Sequence, residues 1–212
     1  MDCAGVLFDL DGVLIDSTPC VTRVWRAWAT EHGLDPDHVV HVAHGRRSVE
    51  TIALVAPELD ADAENVEVER RELADTAGLT VFPGAERLLR SLPQGKWTIV
   101  TSGTRPLATL RLQVGGLPVP ERMVTADDVT LGKPNPEPYL KGAELLGLAA
   151  SDCVVIEDSP SGLRAAKAAR CRSFGIPTTY RREELGDATV IIDRIDLLRV
   201  SRLPDGNIRF EW

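Results

Sequence analysis

The chain has 212 residues, 43% hydrophobic and 26% charged, which suits one sizeable core with a modest insert and excludes a disordered or membrane-embedded chain. Its formal net charge of −8 repels polyanions, so nucleic acid and anionic membrane surfaces are disfavoured as partners; a small phosphate ester in one local basic pocket is not. Cys3, Cys20, Cys153 and Cys171 form no C-x-x-C pair, no histidines repeat at zinc spacing, and neither a basic apolar leader nor a run near the ~20 residues of a membrane span is present. A cytoplasmic protein with free, buried thiols is expected.

The first apolar, β-rich run covers residues 4–8. Residues 17–79 then carry no strand pattern. Segments 21–32, 49–56 and 61–77 read as helices, with Gly33-Leu34-Asp35-Pro36 as a turn. Roughly 60 residues far exceed a usual connection, so this stretch is expected to be a helical insert. After Pro83-Gly84 the pattern alternates. A helix is expected over 85–91, a strand over 97–101, a helix over 106–113 and a weaker strand over 122–125. A helix over 136–146, a strand over 153–156, a helix over 161–169 and strands over 172–176 and 189–192 follow. These short, continuous apolar runs suit a parallel sheet covered on both faces. The expected fold is a doubly wound, Rossmann-like α/β core from residues 1–16 and 80–212, with a helical cap domain over 17–79. Residues 198–202 and 208–212 flank Leu203-Pro204-Asp205-Gly206-Asn207, a hairpin signal.

The chemistry-bearing residues fall where strands end. Phe8-Asp9-Leu10-Asp11-Gly12 puts two aspartates at the C-terminal edge of a buried strand, where open α/β sheets bind ligands. Close carboxylates repel unless a proton or cation separates them, and a hard cation such as magnesium prefers oxygen ligands. Thr101-Ser102-Gly103 offers hydroxyls and amides to a phosphate oxygen. Lys133, between Gly132 and Pro134, offers a point charge. Glu157-Asp158 crowns another apolar strand and suits the far side of an acidic metal cradle. Taken singly, each has an ordinary reading: an acidic turn, a capping serine, a solvated lysine, an exposed loop. Their coincidence at the strand ends of one sheet favours a catalytic site.

With these motifs in this order, nearly the whole chain resembles the haloacid dehalogenase superfamily. Its narrower resemblance, through His44-Gly45-Arg46-Arg47-Ser48-Val49-Glu50-Thr51-Ile52, Thr101-Ser102-Gly103-Thr104-Arg105 and residues 132–142, is to glycerol-3-phosphate and 2-deoxyglucose-6-phosphate phosphatases. The resemblance implies a magnesium-dependent phosphatase acting on a small phosphorylated metabolite, a sugar or polyol phosphate. Asp9 would be the nucleophile and Asp11 the acid and base. Asp9, the Asp11 backbone carbonyl and Asp158 would hold Mg2+, with Glu157 orienting them from behind. Thr101, Ser102, Gly103 and Lys133 would bind the phosphoryl group, and Arg47 would reach it from the cap. One departure stands out: Ala168-Ala169-Arg170 replaces the family's usual Ala-Ala-Gly at a helix end. A dehalogenase is disfavoured because the resemblance gives that activity no Asp11. Related β-phosphoglucomutases carry a cap histidine where Val21 stands, which argues against a phosphomutase. A non-catalytic phosphometabolite-binding protein would be expected to lose Asp9.

Overall fold

In the computed structural model, which describes residues 1–212, the elements alternate as their apolar patterns dictate. The chain opens with β1 (Asp2–Cys3), β2 (Gly5–Phe8) and β3 (Ile15–Asp16). Four helices follow: α1 (Thr18–Glu31), α2 (Pro36–Ala43), α3 (Ser48–Val55) and α4 (Ala61–Ala74). Next come β4 (Thr80–Val81), α5 (Ala85–Ser91), β5 (Trp97–Ile99), α6 (Arg105–Val114) and α7 (Glu137–Leu145). The chain closes with β6 (Cys153–Glu157), α8 (Pro160–Ala168), β7 (Arg172–Gly175), β8 (Val190–Ile191), β9 (Arg199–Arg202) and β10 (Ile208–Glu211).

The central sheet runs β5-β2-β6-β7-β8, and every pairing in it is parallel. Parallel strands need both faces covered, and side chains divide between them with period two. On β2, Val6 and Phe8 join one apolar cluster while Leu7 joins the other. On β6, Val154 and Ile156 face the first, and Cys153 and Val155 the second. The central β2 and β6 are fully buried, so their carboxyl ends are held by the best-packed part of the molecule.

Helices α1 to α4 surround a third cluster built on Trp25, Trp28, Ile52 and Val68. Trp25 and Trp28 meet edge to face, with ring centroids 5.6 Å apart, and the Trp28 indole donates to Glu64 Oε2 at 2.8 Å. The two chain crossings into this bundle pair as a short antiparallel ribbon, β3 with β4. The expected C-terminal hairpin is β9–β10; it adds β1 as a third strand and is pinned by Phe210 and Trp212 against Phe174. All four cysteines are buried and free, and no helix is long and apolar enough to cross a membrane.

Three local expectations change. Residues 122–125 do not form a strand; only a single bridge, Val124 with Val100, joins them to the sheet edge. Pro36, read as the end of a turn, and residues 37–43, assigned no element, form α2, because Asp35 caps its first amides and Pro36 occupies a first-turn position. The third cap helix, expected to residue 77, ends at Ala74.

Arg170 is the one non-glycine residue with positive φ, at 64°. The Cys171 amide donates to the Ala166 carbonyl at 2.9 Å, a bond that closes the end of α8 only if the residue between turns left-handed. Arg170→Gly is therefore expected to stabilise the fold by about 0.5–1 kcal/mol, measured as a higher urea midpoint with an unchanged slope.

Candidate active site

Strand ends deliver the site. Asp9 follows β2 directly, and Gly12, at φ 78°, turns the chain back so that Asp11 stays at the same edge. A Cβ on Gly12 would lie 1.9 Å from Asp158 Oδ2, so only glycine lets this turn pass the carboxylate. Thr101, Ser102 and Gly103 lie just past β5, and Glu157 ends β6 with Asp158 directly after it. Lys133 enters from the loop ahead of α7.

Lys133 is the hub of this arrangement. Its side chain is 1% exposed, and its ammonium donates to Asp9 Oδ1 at 2.8 Å, Glu157 Oε1 at 2.7 Å and the Val100 carbonyl at 3.1 Å. Burial opposes its charge, but the charges of Asp9 and Glu157 prevail and raise its pKa above the usual lysine value. Three donors meet three acceptors, so the ion is fully satisfied. The lysine read from sequence as a possible solvated side chain is thus a buried one.

Asp9, Glu157 and Asp158 bring carboxylate oxygens within 4.8 Å of one another. Glu157 is nevertheless already committed. Its Oε1 accepts from Lys133 and from the Tyr139 hydroxyl at 2.9 Å; its Oε2 accepts from the amides of Asp158 and Ser159 and from Ser159 Oγ, at 2.8–2.9 Å. Burial pushes its pKa up, and the Lys133 charge with these donors more than offsets that. Gly162 makes this packing possible, since a Cβ there would lie 1.7 Å from Glu157 Oε1. Asp9 and Asp158 are in the opposite condition. Burial pushes Asp9 up to about 7 despite Lys133, and burial with the Glu157 and Asp9 charges pushes Asp158 well above the carboxylate range. Asp9 Oδ1 alone is engaged. Two buried carboxylates short of positive charge are the donor set a hard divalent cation fits.

Asp11 is held from both sides. Ser17 Oγ donates to Oδ1 at 2.6 Å, and Arg111 Nη1 to Oδ2 at 2.8 Å. Arg111, on α6, is 5% exposed, and its Nη2 lies 3.7 Å from Glu72 of α4. Burial keeps the Glu72 pKa raised. The phosphate-binding candidates sit at the same mouth: the Gly103 amide donates to Thr101 Oγ1 at 3.1 Å, and Ser102 Oγ to the Gly45 carbonyl at 3.2 Å.

The helical bundle closes this mouth. His44, Gly45 and Arg46 line one cavity with Asp9, Asp11, Thr101, Ser102 and Gly103. Arg47 does not line it. As the residue capping α3, it turns its Nη1 to the Thr130 carbonyl at 2.9 Å and toward Glu50, whose carboxylate accepts from the Gly132 amide at 2.8 Å. Its Nε is the one buried polar side-chain atom without a partner. The left-handed Gly45, at φ 75°, reverses the chain there, and it is Arg46 that enters the catalytic cavity. On the far side, Thr178 Oγ1 donates to the Gly12 carbonyl, while the Tyr180 hydroxyl donates to the carbonyls of His41 and His44 at 2.9 and 3.2 Å.

A sequence profile described as a haloacid dehalogenase-like hydrolase matches residues 3–170. The chain belongs to that family. It is 40% identical to hexitol phosphatase A of Escherichia coli (strain K12), over 98% of this chain and 99% of the relative. It is 38% identical to glycerol-1-phosphate phosphohydrolase 1 of Saccharomyces cerevisiae, over 92% and 83%. A solved hydrolase structure from Pseudomonas syringae superposes with a TM-score of 0.82 at 26% identity, covering 91% of this chain and 94% of that one.

In this haloacid dehalogenase-like hydrolase the motif residues meet at one sheet edge, yet several neighbours went unread in the sequence. Ser17, Arg111 and Glu72 all surround Asp11, and Tyr139 supports Glu157. A signal exists for two of them. Arg111 lies four residues after the buried Leu107, and Glu72 four after the buried Val68, so each puts a charge on the apolar face of its helix. Removing Lys133 strands two buried carboxylates. Lys133→Met is expected to destabilise the metal-free protein by about 3–5 kcal/mol in urea unfolding, more than Lys133→Arg, which keeps the charge.

Proposed function

We propose that the protein is a magnesium-dependent phosphatase that hydrolyses a sugar or polyol phosphate through an aspartyl-phosphate on Asp9. The observation that carries this reading is Asp9 itself: a buried carboxylate with Oδ1 pinned by Lys133 and Oδ2 uncommitted, lining the cavity between sheet edge and helical bundle. Pinning one oxygen fixes the direction of attack of the other. Oδ2 attacks phosphorus, and the bond to the alcohol oxygen breaks as Asp11 gives that oxygen a proton. Asp11 then takes a proton from water, whose oxygen attacks the phosphoryl group and frees Asp9 and phosphate. Ser17 and Arg111 keep Asp11 in place for both transfers.

Asp9, the Asp11 carbonyl and Asp158 would hold Mg2+, which when bound shields the carboxylate from the anionic phosphate and neutralises phosphoryl oxygen charge. Glu157, with every lone pair engaged, orients this set through Lys133 and the Asp158 amide. Ser102 Oγ, the Gly103 amide and Thr101 are proposed to hold the phosphoryl oxygens, Ser102 giving up the Gly45 carbonyl and Gly103 the Thr101 hydroxyl, while Lys133, its three donors engaged, acts on the phosphoryl group through its charge.

The cavity measures about 60 Å³, well below the roughly 300–1,000 Å³ of small-molecule sites. A sugar phosphate therefore enters only when residues 17–79 move as a cap, and reclosure excludes water from the aspartyl-phosphate. The resembling phosphomutases place their cap histidine where Val21 stands here, and Val21, which lines the cavity, supplies only methyls at that position.

Phosphate release from a panel of phosphomonoesters tests this reading. Activity is expected to require Mg2+ and to vanish in excess chelator. Asp9→Asn is expected to remove turnover while circular dichroism shows an unchanged fold; substantial residual turnover would refute the nucleophile assignment. In the cap, Arg46→Ala is expected to lower kcat/KM by about 10–10³-fold. Arg47→Ala is expected to act more weakly, through loss of its hold on the Thr130 carbonyl. Steady-state kinetics on both variants decides which arginine serves the substrate.

A further inference from the structure

Helix α4 faces the core with polar residues where an amphipathic helix would place apolar ones. Asn65, Glu69 and Glu72 fall at i, i+4 and i+7 on one face. All three line a cavity of about 200 Å³ between bundle and core. Glu72, Ser48, Ser102, Gly103 and Leu107 also line the catalytic cavity, so the two spaces share a wall.

Glu72 points to what this space holds. It is 7% exposed, and a carboxylate can accept about four hydrogen bonds. Its polar neighbours, Arg111 Nη2 at 3.7 Å and the Trp25 indole, leave most of that capacity unused. Glu69 accepts one bond, from Thr104 Oγ1. Facing the cavity, these carboxylates are open to further donors.

The sign of the wall excludes one class of occupant. Of the cations at this wall, Arg111 is matched by Asp11 and Glu72, and Arg47, which lines the cavity itself, lies 3.4 Å from Glu50 and donates to the Thr130 carbonyl. Arg46 lines the catalytic cavity instead. Glu69, Glu72 and Asp127 outnumber Arg47 along the lining, so the wall disfavours a second phosphate or a carboxylate. The two glutamates accept well from hydroxyls.

Resting on the phosphatase reading above, we propose that the α4 stripe is the leaving-group subsite. Its occupant is an uncharged, polyhydroxylated carbon chain whose hydroxyls donate to Glu72 and to the Asn65 amide oxygen. Glu72 and Glu69 thereby determine specificity: they favour a polyol or sugar phosphate and reject substrates bearing a second anion.

The test measures kcat/KM of the full chain on a hexitol 6-phosphate, phenyl phosphate and 3-phosphoglycerate. The wild type is expected to prefer the hexitol ester to 3-phosphoglycerate by about 10²-fold or more. Glu72→Gln is expected to lower kcat/KM for the hexitol ester by about tenfold, mostly through KM, with a smaller loss on phenyl phosphate and a narrowed gap to 3-phosphoglycerate. Glu69→Gln, away from the Arg111–Asp11 pair, is expected to shift the preferences the same way, and keeps the test decisive should Glu72→Gln fold poorly. Equal losses on all three substrates in both variants would overturn the proposal, as would a wild type that accepts 3-phosphoglycerate as readily as the hexitol ester. A wild type that releases phosphate from none of them refutes the phosphatase reading, and this inference with it.

Discussion

The ammonium of Lys133, enclosed between Asp9 and Glu157, is the interaction around which the site is assembled. Three carboxylates at the end of two adjacent buried strands would repel one another. One lysine binds two of them and leaves the third, Asp158, beside them. The balance is incomplete by design of the residues present: Glu157 is saturated, while Asp9 and Asp158 remain short of positive charge. That residual deficit is what a divalent cation relieves, so the same electrostatics hold the empty fold together and set the affinity for metal.

Everything nearby is arranged to keep that ion cluster dry and fixed. Tyr139 covers the lysine, its ring centroid 5.0 Å from Nζ, and donates to Glu157. The apolar clusters on both sheet faces clamp β2 and β6, whose ends carry the carboxylates. Asp11 is treated differently. It is the more accessible aspartate, 27% exposed at its side chain against 5% for Asp9. It is held by a serine and an arginine rather than by the lysine, a setting that suits the acid–base role proposed for it.

Much of this was legible in the sequence, because strand-end motifs are local. A short apolar run followed by Asp9 and Asp11, or by Glu157 and Asp158, states both the strand and what its end carries. Strand β7 and helices α5 and α8 were similarly plain. What was not legible depends on distant partners. Helix α2 is rich in valine, a weak helix former, and only its Asp35–Pro36 start betrays it. The β3–β4 ribbon has two residues per strand and no pattern to read. Arg111 meets Asp11, and Glu72 meets Arg111, across separations that one sequence does not encode. The orientation of the two neighbouring arginines was the hardest: Arg46 and Arg47 differ by one step, and a single left-handed glycine decides which faces the aspartates.

The cap is fastened to the core largely through main-chain atoms. Tyr180 donates to the carbonyls of His41 and His44, and Ser102 and Ser161 both donate to the carbonyl of Gly45. A carbonyl is present whatever side chain it carries. The side chains that face the substrate can therefore be exchanged while the docking contacts stay in place. A bundle docked in this way is suited to evolutionary drift: its lining can change without loss of the contacts that seat it on the sheet.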